Sequence, residues 1–144
     1  MSPSLLRATY VGALLTLTPA CSIVPDNDPP GEGRVVVQAS PQIPLELIVS
    51  TDFTTVTQAD GTVSVMFESS DTVSITGDFD RRYALSRADA RIVAILANRN
   101  ESEEPVRLRV LLDGDTKYDV SATLGNGGSL KYTYQYQEGT FADG

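Results

Sequence analysis

Apolar and polar side chains alternate at a period of two along most of this chain, and only an extended strand uses that period to separate two faces. Leu45, Leu47 and Val49 alternate with Glu46, Ile48 and Ser50, and Val63, Val65 and Phe67 with Ser64, Met66 and Glu68. Val73 and Ile75 continue the pattern, as do Val106, Leu108, Val110 and Leu112, then Tyr118, Val120 and Ala122, then Leu130, Tyr132, Tyr134 and Tyr136. Such strands bury one face and leave the other in water, as antiparallel sheets do.

Turn chemistry separates the runs. Ala59-Asp60-Gly61 and Asp113-Gly114-Asp115 each contain Asp-Gly, a dipeptide that tolerates the positive φ of tight hairpin turns. Gly125-Asn126-Gly127-Gly128 predicts a longer, looser connection, read as a hairpin loop, and Asn98 to Pro105 a polar loop. Many short strands joined by turns point to an all-β fold, a small antiparallel β-sandwich of the immunoglobulin-like size class. With a single Cys and no Trp, the sequence lacks the disulfide and the packed indole of a true immunoglobulin domain.

The stretch from Ser86 to Ala97 supports two readings. Ser86 and Asp89 have capping-box spacing, and Leu85, Ala88, Ile92 and Ile95 fit a helical face. The β-branched run from Ile92 to Leu96 instead favours a turn at 86–89 followed by a central strand from Arg91. The region Ile92–Leu112 then reads as the central hairpin of the sheet.

The N-terminal segment has a different organisation. Arg7 is the only charge before Asp26, and the apolar run Ala8–Leu17 is too short to span a bilayer but suits the core of an export signal. It leads into Thr18-Pro19-Ala20-Cys21, with small residues ahead of the one Cys of the chain. These residues resemble the lipobox of a bacterial lipoprotein precursor, with Thr18 standing where that family usually has Leu. The resemblance covers only the first twenty-five or so residues. It implies cleavage after Ala20, acyl chains on Cys21 and a membrane anchor, with Ser22 compatible with outer-membrane sorting. Several acyl chains hold far more firmly than one.

The expected organisation is therefore a signal peptide at 1–20, a lipid-anchored flexible linker at 21–33, a β-sandwich domain at 34–138 and a flexible tail at 139–144. Pro, Gly and acidic residues between Ile23 and Gly33 suit an extended tether.

Composition narrows the chemistry. Acidic residues outnumber basic ones 19 to 11, for a net charge of −8, so nucleic acid is not an expected partner. The chain has no His, which removes the common nucleophile–base pairs and the commonest transition-metal ligand. No catalytic residue, metal or cofactor is expected. Asp78 with Asp80, and Asp113 with Asp115 and Asp119, are close enough in sequence to suggest calcium or a shared proton. Their simpler reading is turn chemistry and solubility.

Tyr132, Tyr134 and Tyr136 share one face of a strand and are the candidate ligand-binding residues, as a platform for a glycan or small molecule. Core packing is the competing reading. Val106 to Gly114 is similar to a strand and turn of small periplasmic immunoglobulin-like accessory domains, a pattern common to many sandwiches. The expected function is a non-catalytic interaction or accessory module, exported and anchored in the cell envelope through Cys21. Its expected partners are the membrane and another envelope protein, with glycan or small-ligand binding as the alternative.

Overall fold

In the computed structural model, residues 28–136 are described in full and residues 139–143 by their backbone. The described elements are all strands: β1 (Glu32–Ala39), β2 (Leu45–Thr57), β3 (Val63–Ile75), β4 (Phe79–Ala84), β5 (Arg91–Ala97), β6 (Glu104–Leu112), β7 (Asp115–Leu124), β8 (Ser129–Gln135) and β9 (Gly139–Asp143). They form a four-stranded sheet in the order β4-β1-β6-β7 and a five-stranded sheet in the order β3-β2-β5-β8-β9. Every pairing is antiparallel. The fold is the small antiparallel β-sandwich that the alternation predicts.

The two inner faces make one core. Val35 and Val37 from β1, Leu108 and Val110 from β6, Leu47 from β2 and Ile92 from β5 are all fully buried in it. The facing strands meet so closely at one end that a Cβ on Gly33 would lie 2.7 Å from Ile92 Cδ1. On the outer face of the four-stranded sheet, Arg34 pairs with Asp80 and Arg107 with Asp119. The side chains alternate as the sequence does: apolar inward, charged outward.

Asp113 and Gly114 take φ values of 47° and 88° in the turn from β6 to β7, the paired positive φ of a tight hairpin. Ser86 accepts a hydrogen bond from Asp89 N at 3.1 Å, and β5 starts at Arg91, central in its sheet. Of the two readings of this stretch, the turn and strand are what form.

The connections and ends depart from expectation. The expected hairpin across Ile92–Leu112 is absent, because β5 and β6 lie in opposite sheets. Asn98, fully buried, donates through Nδ2 to Ser102 O and Leu124 O, both at 2.7 Å, and so anchors a loop that crosses between layers. Gly125–Gly128 likewise carries the chain from β7 in one sheet to β8 in the other and is not a hairpin. The runs at 63–68 and 73–76 join into one strand, β3, whose polar middle lies at a sheet edge, exposed on both faces.

The domain also begins earlier and ends later than 34–138. Pro30 and Gly33 are buried, and Gly31 and Glu32 are hydrogen-bonded to Asp113, so the last residues of the expected linker belong to the fold. Gly139–Asp143, expected as part of a flexible tail, pairs with β8 as β9 and occupies backbone groups that β8 would otherwise present unpaired. The expected signal peptide, Cys21 and the first part of the linker lie outside the described residues.

Candidate functional site

Strand β3 is the longest edge strand among the described residues. It is 13 residues long and, among the described residues, pairs only with β2. Natural sheets protect their edges with charge, Pro or brevity. The four-stranded sheet follows that rule: β4 carries Asp80, Arg81 and Arg82 within six residues, and β7 carries Asp115, Lys117 and Asp119. Strand β3 has neither Lys nor Pro, and only Glu68 and Asp71 are charged.

The β2–β3 hairpin is more than an edge. Register shifts mark an extra residue in β2 between Val49 and Asp52 and a compensating one in β3 at Glu68. Before it, Leu45, Leu47 and Val49 face the core; after it, Phe53 is fully buried outside the inter-sheet cluster. A bulge adds the one residue needed to exchange the faces of a strand. The Arg91 guanidinium stands over the Phe53 ring at 6.0 Å and donates to the Phe53 carbonyl. Beyond this clamp the hairpin continues as an arm, pairing Phe53 with Phe67 and Thr57 with Val63, past the end of β5.

The arm is apolar on both faces. Val56 and Met66 project on one side, 40% and 58% exposed, and Phe67 on the other at 39%. Between Thr54 and Phe67 the only charged residue is Asp60, in the turn. Its carboxylate accepts from Thr62 Oγ1 at 2.6 Å and Thr62 N at 2.9 Å, which holds Asp60 below the usual carboxylate range. The scarcity of charge between 54 and 67 was the signal in the sequence for this arm.

The tyrosines grade from core to surface. Tyr132 is fully buried, its ring 5.4 Å from that of Tyr118. Tyr134 is half-buried on the wall of an open cleft of about 310 Å³ shared with Pro30, Leu112, Asp113 and Lys117. Burial, then the neighbouring Tyr136 and Asp113, raise the Tyr134 phenol above its ordinary value. Tyr136 is exposed at the rim. Two of the three rings are thus reachable, and they do not form one flat platform.

The acidic groups are occupied separately. Asp80 is held below its usual range, first by its hydrogen bond to Arg34, and Asp119 likewise by Arg107. Asp78 accepts from Ala39 N at 3.4 Å, and Asp113 accepts from the start of β1. Among the described residues no group of three His, Cys, Asp or Glu is placed to hold a metal ion. Nor is any helix among them long and apolar enough to cross a membrane.

No family model, no curated protein and no solved structure matches this chain.

Proposed function

We propose that this chain is a lipid-anchored protein of the bacterial envelope that acts as a non-catalytic interaction module. Export and anchoring rest on the short apolar run and on Ala20-Cys21. The single observation that supports the module is β3: a long, sparsely charged edge with a row of backbone donors and acceptors on its outer side. An extended segment of another envelope protein adds to such an edge through main-chain hydrogen bonds, and side-chain pockets then select its sequence.

The Arg81 guanidinium, 5.3 Å from the centre of the Tyr83 ring and 3.5 Å from Asp71, links β4 to the C-terminal half of β3. Ser69, Ser70, Asp71 and Tyr83 line a shallow notch beside it, suited to a side chain of an added strand. Glu68 and Asp71 favour a partner segment that carries Lys or Arg. The glycan alternative draws less from the geometry, since Tyr132 is closed to ligand.

A photo-crosslinking residue at Ser70 in intact envelopes tests the edge. One protein product at this position, and none with the same residue at Ser121 on the outer face of the other sheet, is the expected result. Equal labelling at both positions, or none at Ser70, removes β3 as the docking edge. Cell fractionation tests the anchor: Cys21→Ala releases the protein from the membrane fraction. Unchanged retention with unchanged processing sinks the lipid anchor.

A further inference from the structure

The strand directions put the β2–β3 arm and the N-terminal tether at the same end of the sandwich. Strand β1 enters at Glu32, beside Leu112 and Ala84. Strand β5 starts at that end too, since Ile92 lies against Gly33. Strand β2 runs the other way and passes this end at Phe53, where Arg91 clamps it, and Thr55, which donates to Gln135 Oε1 at 3.3 Å. The remaining residues of the arm and its turn extend beyond, by about 15 Å at about 3.3 Å per residue.

We infer that this arm rests obliquely in the headgroup layer of the membrane that holds the lipid anchor, its tip submerged and the face that carries Val56 and Met66 turned to the lipid, while Phe67 stays at the base where it pairs with Phe53. The inference builds on the proposed acylation of Cys21. Six residues separate Cys21 from Asp28, the first described residue. Fully extended, that chain spans at most about 25 Å. An acylated Cys21 therefore keeps the tether end of the domain within that distance of the bilayer, and the arm covers more than half of it.

The chemistry of the arm fits that position. A hairpin folded only against its own domain needs one apolar face, and this one has two. Thr, Ser, Val, Ala and Gly fill nearly all its other positions, and Asp60 alone is charged. Hydroxyls and isolated apolar side chains are tolerated at headgroup depth, whereas a charge-rich tip is repelled from the acyl boundary. The charged outer face of the four-stranded sheet, with Arg34, Arg107, Asp80 and Asp119, belongs to the flank of the sandwich and not to this end. Both ends of the sandwich body are charged, with Asp78, Glu101 and Glu103 on the far loops and Arg87, Asp89, Asp113 and Asp115 on the turns of the tether end, so the body stays in water and the arm alone reaches the layer.

The absence of Trp makes the test direct. Met66→Trp, in the full-length lipidated protein reconstituted into phosphatidylethanolamine–phosphatidylglycerol vesicles, places one reporter on the arm. Asn126→Trp places one at the far end. The expected result is blue-shifted emission for Met66→Trp and quenching to less than half by lipids brominated near the headgroup, with Asn126→Trp unaffected. Vesicle flotation is read on the same samples. A protein that floats while Met66→Trp stays unquenched overturns the membrane contact and leaves the anchor standing. A blue shift without quenching assigns the arm to a protein surface instead and also overturns it. A protein that does not float removes the anchor, and the membrane contact with it.

Discussion

The carboxylate of Asp113 accepts hydrogen bonds from the amides of Gly31 at 3.1 Å and Glu32 at 2.9 Å, and Asp113 N returns one to Glu32 O at 2.9 Å. The turn between β6 and β7 therefore fastens the point where the tether becomes β1. Asp113 performs this in a left-handed conformation, φ 47°, which Asp and Asn tolerate better than other side chains.

Asp113→Ala removes both the acceptor and that tolerance, so a loss of about 1–2 kcal/mol in urea unfolding is expected. Asp113→Asn keeps the conformation and one acceptor oxygen and loses less. Hydrogen exchange at Gly31 and Glu32 rises in both variants, more in the first. Unchanged exchange at these two amides contradicts the fastening.

Gly33 and Ile92 make a second coupled pair. Gly33→Ala forces its new methyl against Ile92 Cδ1 in a filled core, with an expected destabilisation of about 1–3 kcal/mol. Ile92→Val deletes the opposing atom. The double variant is expected to be more stable than the sum of the single changes predicts, by more than about 0.5 kcal/mol. Simple additivity means that the two strands lie too far apart at this point for a Gly33 methyl to meet Ile92 Cδ1.

What was legible in the sequence is what the period of two encodes. Alternation reports which side of a strand is buried, and it places Leu47, Leu108 and Tyr132 in the core. It does not report which strand lies alongside. Strands β5 and β6 are consecutive and apolar, yet the layer crossing between them depends on the buried amide of Asn98 and its acceptor at Leu124, 26 residues away. The fastening of Gly31 depends on Asp113, 82 residues away, so a Pro- and Gly-rich run read as pure tether. The bulge near Asp52 left no mark in composition, because Ser50, Thr51 and Asp52 suit a strand edge in either register. Depth was hidden as well: the three tyrosines share a face, but where the sandwich ends decides that Tyr132 is closed in and Tyr136 is not.

The pairing of Arg107 with Asp119 sets a pH dependence. The folded-state value of Asp119 lies below its ordinary one, chiefly through the hydrogen bond from Arg107. Its stabilising contribution is thus fully present above the unfolded-state value near 3.9 and is lost as pH falls through the lower folded value. Asp119→Asn is expected to lower the urea midpoint at neutral pH, with the gap to the native protein closing at about pH 2. Both side chains are more than a third exposed, so the gap is small and shrinks further in high salt. A gap of equal size at both pH values assigns the effect to packing instead of charge.

Leu108 and Phe53 are both fully buried, but they belong to different clusters. Leu108 stands in the inter-sheet core, where truncation leaves a cavity bounded by both sheets. Leu108→Ala is expected to lower global stability by about 2–5 kcal/mol and to speed exchange throughout the slowest amides. Phe53 holds the arm beneath Arg91, outside that core. Phe53→Ala is expected to speed exchange first in Thr54–Thr57 and Ser64–Phe67, while the amides of β5 and β6 keep their protection until the denaturant midpoint is approached. Such a split marks the arm as a separate opening unit, able to change its seat without unfolding the sandwich. Exchange that rises in parallel across β5, β6 and the arm joins Phe53 to the main core and makes the arm a rigid extension of it.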